Sequence, residues 1–468
     1  MISIFLYLYL PQLKLKPMKK IFSVILMILF VLSLAGQEKK EKKPKTGWRF
    51  GGALPAVSYD SDLGFQYGAL AEFFNYGNPT IFPKYYDHLY AEISRYTKGS
   101  GIYRLMFESN HIIPGVEWVL DLSYLPDLAN HFYGFNGYES VFNKDWMDDE
   151  TDSYKTRMFY RYERNLFRFK NDFMGKLSGD HLKWSAGFAF QNFTAGSVDI
   201  DRLNKGKEEN LLPPVEEEPG LFELYRDSLG LISANEADGG WVNTLRAGVV
   251  WDSRDNRPNP MKGLWTEMGI EISPKFMGND WGFSKFYITH RQYFTLVEND
   301  LSFVYRVGYQ ATISGEVPFF YQSQVITSRL TGYSSEGLGG SQTLRGVLRN
   351  RVIGDAFVLG NVELRWKPFY FKLFKQECYL GLDLFYDMGM VTKSIKLPDN
   401  LQTIFNDELT GYNFNDIFNP GAEKLHQSAG TSIMLAMNQN FIVAVDVGKA
   451  FNEQDGNIGF AIGLNYLF

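Results

Sequence analysis

The six histidines are His88, His111, His131, His181, His290 and His426, and none stands at the spacing of a metal-ligand pair. No nucleophile elbow occurs, and the glycine-rich stretch from Gly337 to Gly340 lacks the lysine-serine ending of a phosphate loop. Cys378 is the sole cysteine, which excludes an intramolecular disulfide framework and a multi-cysteine metal centre. Clustered carboxylates suit calcium, and Asp145, Asp148, Asp149, Glu150 and Asp152 form such a cluster. They lack the spacing of a calcium-binding loop between helices, so a solvated acidic loop is the stronger reading. Glu216, Glu217 and Glu218 beside Pro213, Pro214 and Pro219 read as an exposed loop. No catalytic residue, cofactor or metal site is therefore expected, and an enzyme is the weakest functional class. With 47 basic against 53 acidic residues and a net charge of −6, the chain has no basic footprint for nucleic acid.

What the chain does have is charge arranged on strands. Phenylalanine (39), tyrosine (28), tryptophan (9) and glycine (44) are abundant without low complexity, which points to many strands and tight turns. Apolar and polar residues alternate. Leu380, Leu382, Leu384, Tyr386 and Met388 oppose Gly381, Asp383, Asp387 and Gly389, and Val358, Val362, Leu364 and Trp366 oppose Asn361, Glu363 and Arg365. Phe460, Ile462, Leu464, Tyr466 and Phe468 alternate with Gly459, Ala461, Gly463 and Asn465 in the same way. A period of two marks strands with different media on their faces. Many of these segments exceed the roughly 5–6 residues of a globular strand and reach the roughly 9–11 that cross a bilayer at a tilt. A water-filled lumen then takes the charges, and lipid takes the apolar face.

Sixteen such segments are read at 64–76, 86–97, 102–111, 116–125, 154–164, 168–178, 181–193, 241–252, 263–275, 283–297, 299–312, 357–368, 376–391, 426–438, 440–449 and 457–468. The expected fold is all-β, a 16-stranded antiparallel transmembrane β-barrel, with 64–468 forming the barrel. The long, glycine-rich 313–356 connection between strands 11 and 12 folds inward. By parity the connections 194–240, 313–356 and 392–425 share one end of the barrel, but 126–153 falls at the other.

Ahead of the strands, Lys19 and Lys20 precede an apolar run from Ile21 to Leu34, then Ala35 and Gly36. That order describes a signal peptide within 1–36, with Met18 as the true start, and the run is short for a membrane-spanning helix. Residues 37–63 are expected to form a short periplasmic tail.

From about Gly240 onward, several motifs resemble the BamA/TamA family of outer-membrane barrels. Asp252-Ser253-Arg254-Asp255-Asn256, followed by Pro260 and Gly263, is similar to the family's turn between strands eight and nine. Leu344-Arg345-Gly346-Val347 resembles its inward-loop motif, although an aromatic residue usually stands where Val347 does. Asn361-Val362-Glu363-Leu364-Arg365, Phe385-Tyr386-Asp387-Met388-Gly389 and the C-terminal barrel signal Tyr466 with Phe468 complete the match. The resemblance implies that Arg345 reaches Asp387, with Glu363 alongside, so that Arg345, Gly346, Glu363, Phe385, Asp387 and Gly389 lock the loop. Alternation puts Glu363, Phe385, Asp387 and Gly389 on the lumen face, which agrees with this arrangement.

The resemblance further implies a monomeric barrel in the outer membrane of a Gram-negative bacterium, in contact with lipid and with a periplasmic or surface partner protein. It would assist insertion or translocation of that partner across a weak seam between the first and last strands. Gly459 and Gly463 suit such a seam. Family members gather substrate with periplasmic domains, and this chain is read as too short to hold them. The alternative is a passive or gated pore for small solutes, with Arg246, Glu267, Glu271 and Arg306 in its lumen.

Overall fold

A computed structural model describes residues 5–9, 46–60, 64–77, 85–257, 259–328, 332–334, 336–373, 376–405, 411–437, 441–464 and 466–468. Sixteen antiparallel strands follow one another around the wall: β1 (Trp48–Asp60), β2 (Gly64–Asn75), β3 (Asp87–Tyr96), β4 (Gly101–Ile113), β5 (Val116–His131), β6 (Arg161–Ser178), β7 (Leu182–Gly196), β8 (Thr244–Asp252), β9 (Gly263–Ser273), β10 (Phe283–Val297), β11 (Leu301–Gly315), β12 (Ala356–Leu373), β13 (Gln376–Lys393), β14 (His426–Met437), β15 (Phe441–Ala450) and β16 (Ile458–Leu464). Short strands at Gly239–Trp241 and Phe5–Tyr9 extend the same sheet. Phe5–Tyr9 lies antiparallel to β16, from Phe5 opposite Gly463 to Tyr9 opposite Gly459. The rest of the expected signal segment lies outside the described residues.

The total of sixteen agrees with the expectation through two differences that cancel. Trp48–Asp60, placed in the tail by sequence, is a strand. Its alternation is broken by Gly51, Gly52 and Pro55, and its register shifts between Phe50 and Gly52. Residues 154–164 and 168–178 are not two strands. Arg161–Ser178 runs unbroken, and Tyr162, Arg164, Leu166, Arg168 and Lys170 all face inward along it. With both differences, every long connection (132–160, 197–243, 316–355 and 394–425) falls at one end of the wall, and the parity anomaly at 126–153 disappears.

The four long connections pack together over that end as an aromatic cap. Phe132 meets Tyr225 at 5.2 Å and Phe319 at 6.3 Å, edge to face, and Tyr225 meets Phe418 at 5.7 Å. Edge-to-face pairs suit the ring quadrupole and fix orientation as well as area. The acidic 145–152 stretch lies in this cap with a short 3₁₀ turn at Lys144–Met147, and Arg157 pairs with Asp149 at 3.2 Å. Outward side chains such as Ile93, Leu384 and Ile433 are more than half exposed, as a lipid-facing surface requires.

Among the described residues the registers join β1 only to β2, and β16 lies between β15 and Phe5–Tyr9, so no register joins β1 to β16. Pro55 fits that position, because a residue without an N–H is tolerated on an edge strand and costs a ladder bond elsewhere.

Candidate functional site

The inward-folded connection between β11 and β12 crosses the lumen and ends its descent at Arg345. Two wall strands receive it. On β12, Asn361, Glu363, Arg365 and Lys367 point inward; on β13, Tyr379, Asp383, Phe385 and Asp387 do so. Cross-strand pairing sets Asn361 opposite Asp387, and Glu363 opposite Phe385.

Arg345 grips Asp387 three ways. Its backbone N–H donates to Oδ2 at 3.0 Å, Nε to Oδ2 at 2.8 Å, and Nη2 to Oδ1 at 2.9 Å. The same Nη2 lies 2.8 Å from Glu363 Oε1, and the guanidinium sits 3.6 Å above the Phe385 ring centroid. A guanidinium matches a carboxylate as a rigid two-donor fork and stacks on aromatic faces, so lysine is no substitute. Arg365 holds the far side of Glu363, with Nε at 2.8 Å from Oε2. The loop backbone is secured too. Asn361 Nδ2 donates to Thr343 O at 2.7 Å, and Arg306 Nη2 donates to Gln342 O at 2.9 Å.

Glycines permit the approach. Gly346 has φ 92°, and a Cβ there would meet the Gly448 carbonyl carbon at 2.6 Å. A Cβ on Gly389 would press Leu338 and Leu344 at 3.1 and 3.2 Å. Leu338, Leu344 and Val347 are fully buried in one cluster with Val325, Val352, Phe357 and Ala450. Val347 thus fills a confined apolar space. At the loop's root, Glu336 Oε2 accepts from Ser341 N at 3.2 Å, and burial pushes its carboxyl pKa up while Arg349 pulls the other way.

The structure therefore brings Arg345, Gly346, Glu363, Phe385, Asp387 and Gly389 together. Two glycines escaped the sequence reading. A Cβ on Gly448 would lie 2.7 Å from Arg345 O, and one on Gly430 would lie 2.4 Å from Phe385 Cζ. Nothing in their local sequence distinguishes them from other strand glycines.

The turn residues Asp252, Arg254, Asp255 and Asn256 form a separate group at the opposite mouth. Arg254 Nε and Nη2 each reach Asp252 at 2.8 Å. Asp255 Oδ1 accepts from the backbone N–H groups of Asn256, Met261 and Lys262 at 2.9, 3.0 and 3.3 Å, and so shapes the turn.

Tyr466 and Phe468 depart from the alternation that put them on the outer face with Phe460. Both rings are buried on the lumen side. Tyr466 stacks on Arg365 at 4.3 Å and shares a hydroxyl contact with Tyr379 at 3.2 Å. Phe468 O accepts from Arg365 Nη2 at 2.8 Å, and its ring lies against Tyr293 and Val304. Cation–π and hydrogen-bond partners inside outweigh the local pattern.

Residues 133–466 match the family described as the Omp85 superfamily domain. Among solved structures the chain resembles BamA from Haemophilus ducreyi lacking POTRA domains 1–3, with 14% identity, 90% of this chain and 71% of that chain covered, and a TM-score of 0.50. It also resembles CdiB from Escherichia coli, with 9% identity, 92% of this chain covered and a TM-score of 0.51; the chain spans 64% of that protein. No curated protein matches.

Proposed function

Because the chain belongs to the Omp85 superfamily of outer-membrane β-barrels of Gram-negative bacteria, we propose that it assists insertion or translocation of a partner polypeptide at that membrane. The observation that carries this reading is the open edge of β1, which among the described residues pairs only with β2, while β16 on the other side of the seam already takes Phe5–Tyr9 as an added strand. An edge strand presents unpaired N–H and C=O groups, and an incoming strand can take them up by β-augmentation. Locking the inward loop through Arg345 keeps the rest of the wall rigid, so that opening is confined to this seam. By the rule of long outer loops and short periplasmic turns, the aromatic cap faces outward and the Asp252–Gly263 turn faces the periplasm.

The cap argues against a passive solute pore, since its aromatic rings from four connections lie over one end of the lumen. The test is reconstitution of the barrel in lipid vesicles, followed by the folding rate of an unfolded outer-membrane barrel added outside. Faster folding than in empty vesicles supports the proposal. No acceleration, with a steady solute-selective current in planar bilayers, overturns it in favour of the pore.

A further inference from the structure

The ten-residue connection between β8 and β9 is longer than the two- and three-residue turns that join β4 to β5, β6 to β7 and β10 to β11 at the same end, and it does not hang free. Arg257 Nη1 and Nη2 reach Glu117 Oε1 and Oε2 at 2.9 and 3.1 Å. Glu117 stands near the start of β5. Asn259, buried, donates from Nδ2 to Tyr379 OH at 2.8 Å, and Tyr379 stands near the start of β13. Strands β5 and β13 are eight positions apart in a wall of sixteen, so these anchors lie on opposite sides of the barrel. The segment also touches the wall between them. Thr295 of β10 donates to Met261 O at 3.0 Å, and Lys367 Nζ of β12 lies 3.1 Å from Met261 Sδ. Beneath it, Trp265 is held between two guanidinium groups, Arg254 and Arg291, each 3.8 Å from its ring centroid.

We propose that this connection is a removable bar across the mouth opposite the aromatic cap. Arg257–Glu117 latches it at one wall and Asn259–Tyr379 at the other. Its second anchor is shared: the Tyr379 hydroxyl that accepts from Asn259 also meets Tyr466, the first described residue after β16 to enter the lumen. The bar and the 466–468 segment therefore release together, so that withdrawal of the segment beyond β16 opens the lumen at this mouth. This holds whether or not the barrel inserts proteins, because it concerns access to the lumen alone.

The latches differ in strength. The Arg257 side chain is nearly half exposed while Glu117 is largely buried, so water and salt screen this pair from one side only. The Asn259–Tyr379 bond is buried and leaves unsatisfied groups when cut. Removal of both is expected to raise lumen access about tenfold.

The reporter is a thiol introduced by Ser302→Cys on a Cys378→Ser background. Ser302 is buried on the lumen face of β11, opposite Arg365. The full chain is reconstituted, and the rate at which a membrane-impermeant maleimide labels the introduced thiol is read from the bar's side. Arg257→Ala with Asn259→Ala is expected to raise the rate about tenfold while the folded band on an unheated gel stays in place. Tyr466→Phe, which keeps the ring over Arg365, is expected to raise it in the same direction. An unchanged rate in the double variant overturns the bar. A raised rate in the double variant with no response in Tyr466→Phe overturns the coupling to the 466–468 segment.

Discussion

Replacing Arg345 by alanine tests the lock directly. The side chain is 3% exposed, Asp387 0% and Glu363 1%, so water does not take over the lost contacts. Glu363 keeps Arg365 at 2.8 Å and stays paired. Asp387 is the stranded group, since it loses both guanidinium bonds and retains only the Arg345 backbone N–H at 3.0 Å. Removing one partner of a buried ion pair costs about 3–5 kcal/mol. The single stranded carboxylate, rather than two, places Arg345→Ala within that range and not above it. Arg345→Lys keeps the charge and loses the fork and the stack on Phe385, so roughly half the loss is expected. The assay is the temperature at which the folded band of unheated protein converts to the unfolded mobility on a gel. A drop on the order of 5–10 °C is expected for Arg345→Ala, with Arg345→Lys between it and the parent. A conversion temperature within about a degree of the parent would refute the lock.

Gly448→Val places a side chain against Arg345 O and lifts the loop tip from β15, with an overpacking cost of about 1–3 kcal/mol. Its gel transition is expected to fall in the same direction as Arg345→Ala and to add little to it, and full additivity would count against a shared cause. Phe132→Ala removes a ring that touches three of the capping connections, costing about 3–5 kcal/mol locally. Protease added to intact cells is expected to cut the 197–243 connection faster, and an unchanged pattern would remove the cap's dependence on this ring. Asp455→Asn weakens a buried knot in which Asp455 takes His426 Nδ1 at 2.6 Å and the Tyr138 hydroxyl, while Glu423 takes His426 Nε2 at 3.2 Å. The variant is expected to expose the 451–457 turn to proteolysis without shifting maleimide labelling of the Ser302→Cys reporter; protection equal to the parent's would show the knot to be dispensable.

Strand sense and side-chain facing were legible because a period of two is a local property. Glu363, Asp387 and Arg365 could be assigned to the lumen from their neighbours alone. The partner of Arg345 was legible only through the motif resemblance, since Arg345 and Asp387 are 42 residues apart and share no strand. β1 was lost where glycine and proline interrupt the period. The break expected near Asn165 does not exist, because polar inward residues such as Arg164 and Arg168 resemble turn residues when read without their wall.

The sequence by itself determined a sheet between two media, its long inward loop, and which charges face the water. Each follows from alternation along a few consecutive residues. Tertiary structure decided the rest: that 48–60 is an edge, that the long connections gather into one aromatic cap, that Gly430 and Gly448 make room for the loop, and that Tyr466 and Phe468 leave the lipid face for Arg365. These outcomes depend on contacts between residues tens to hundreds of positions apart, and local periodicity holds no record of such contacts.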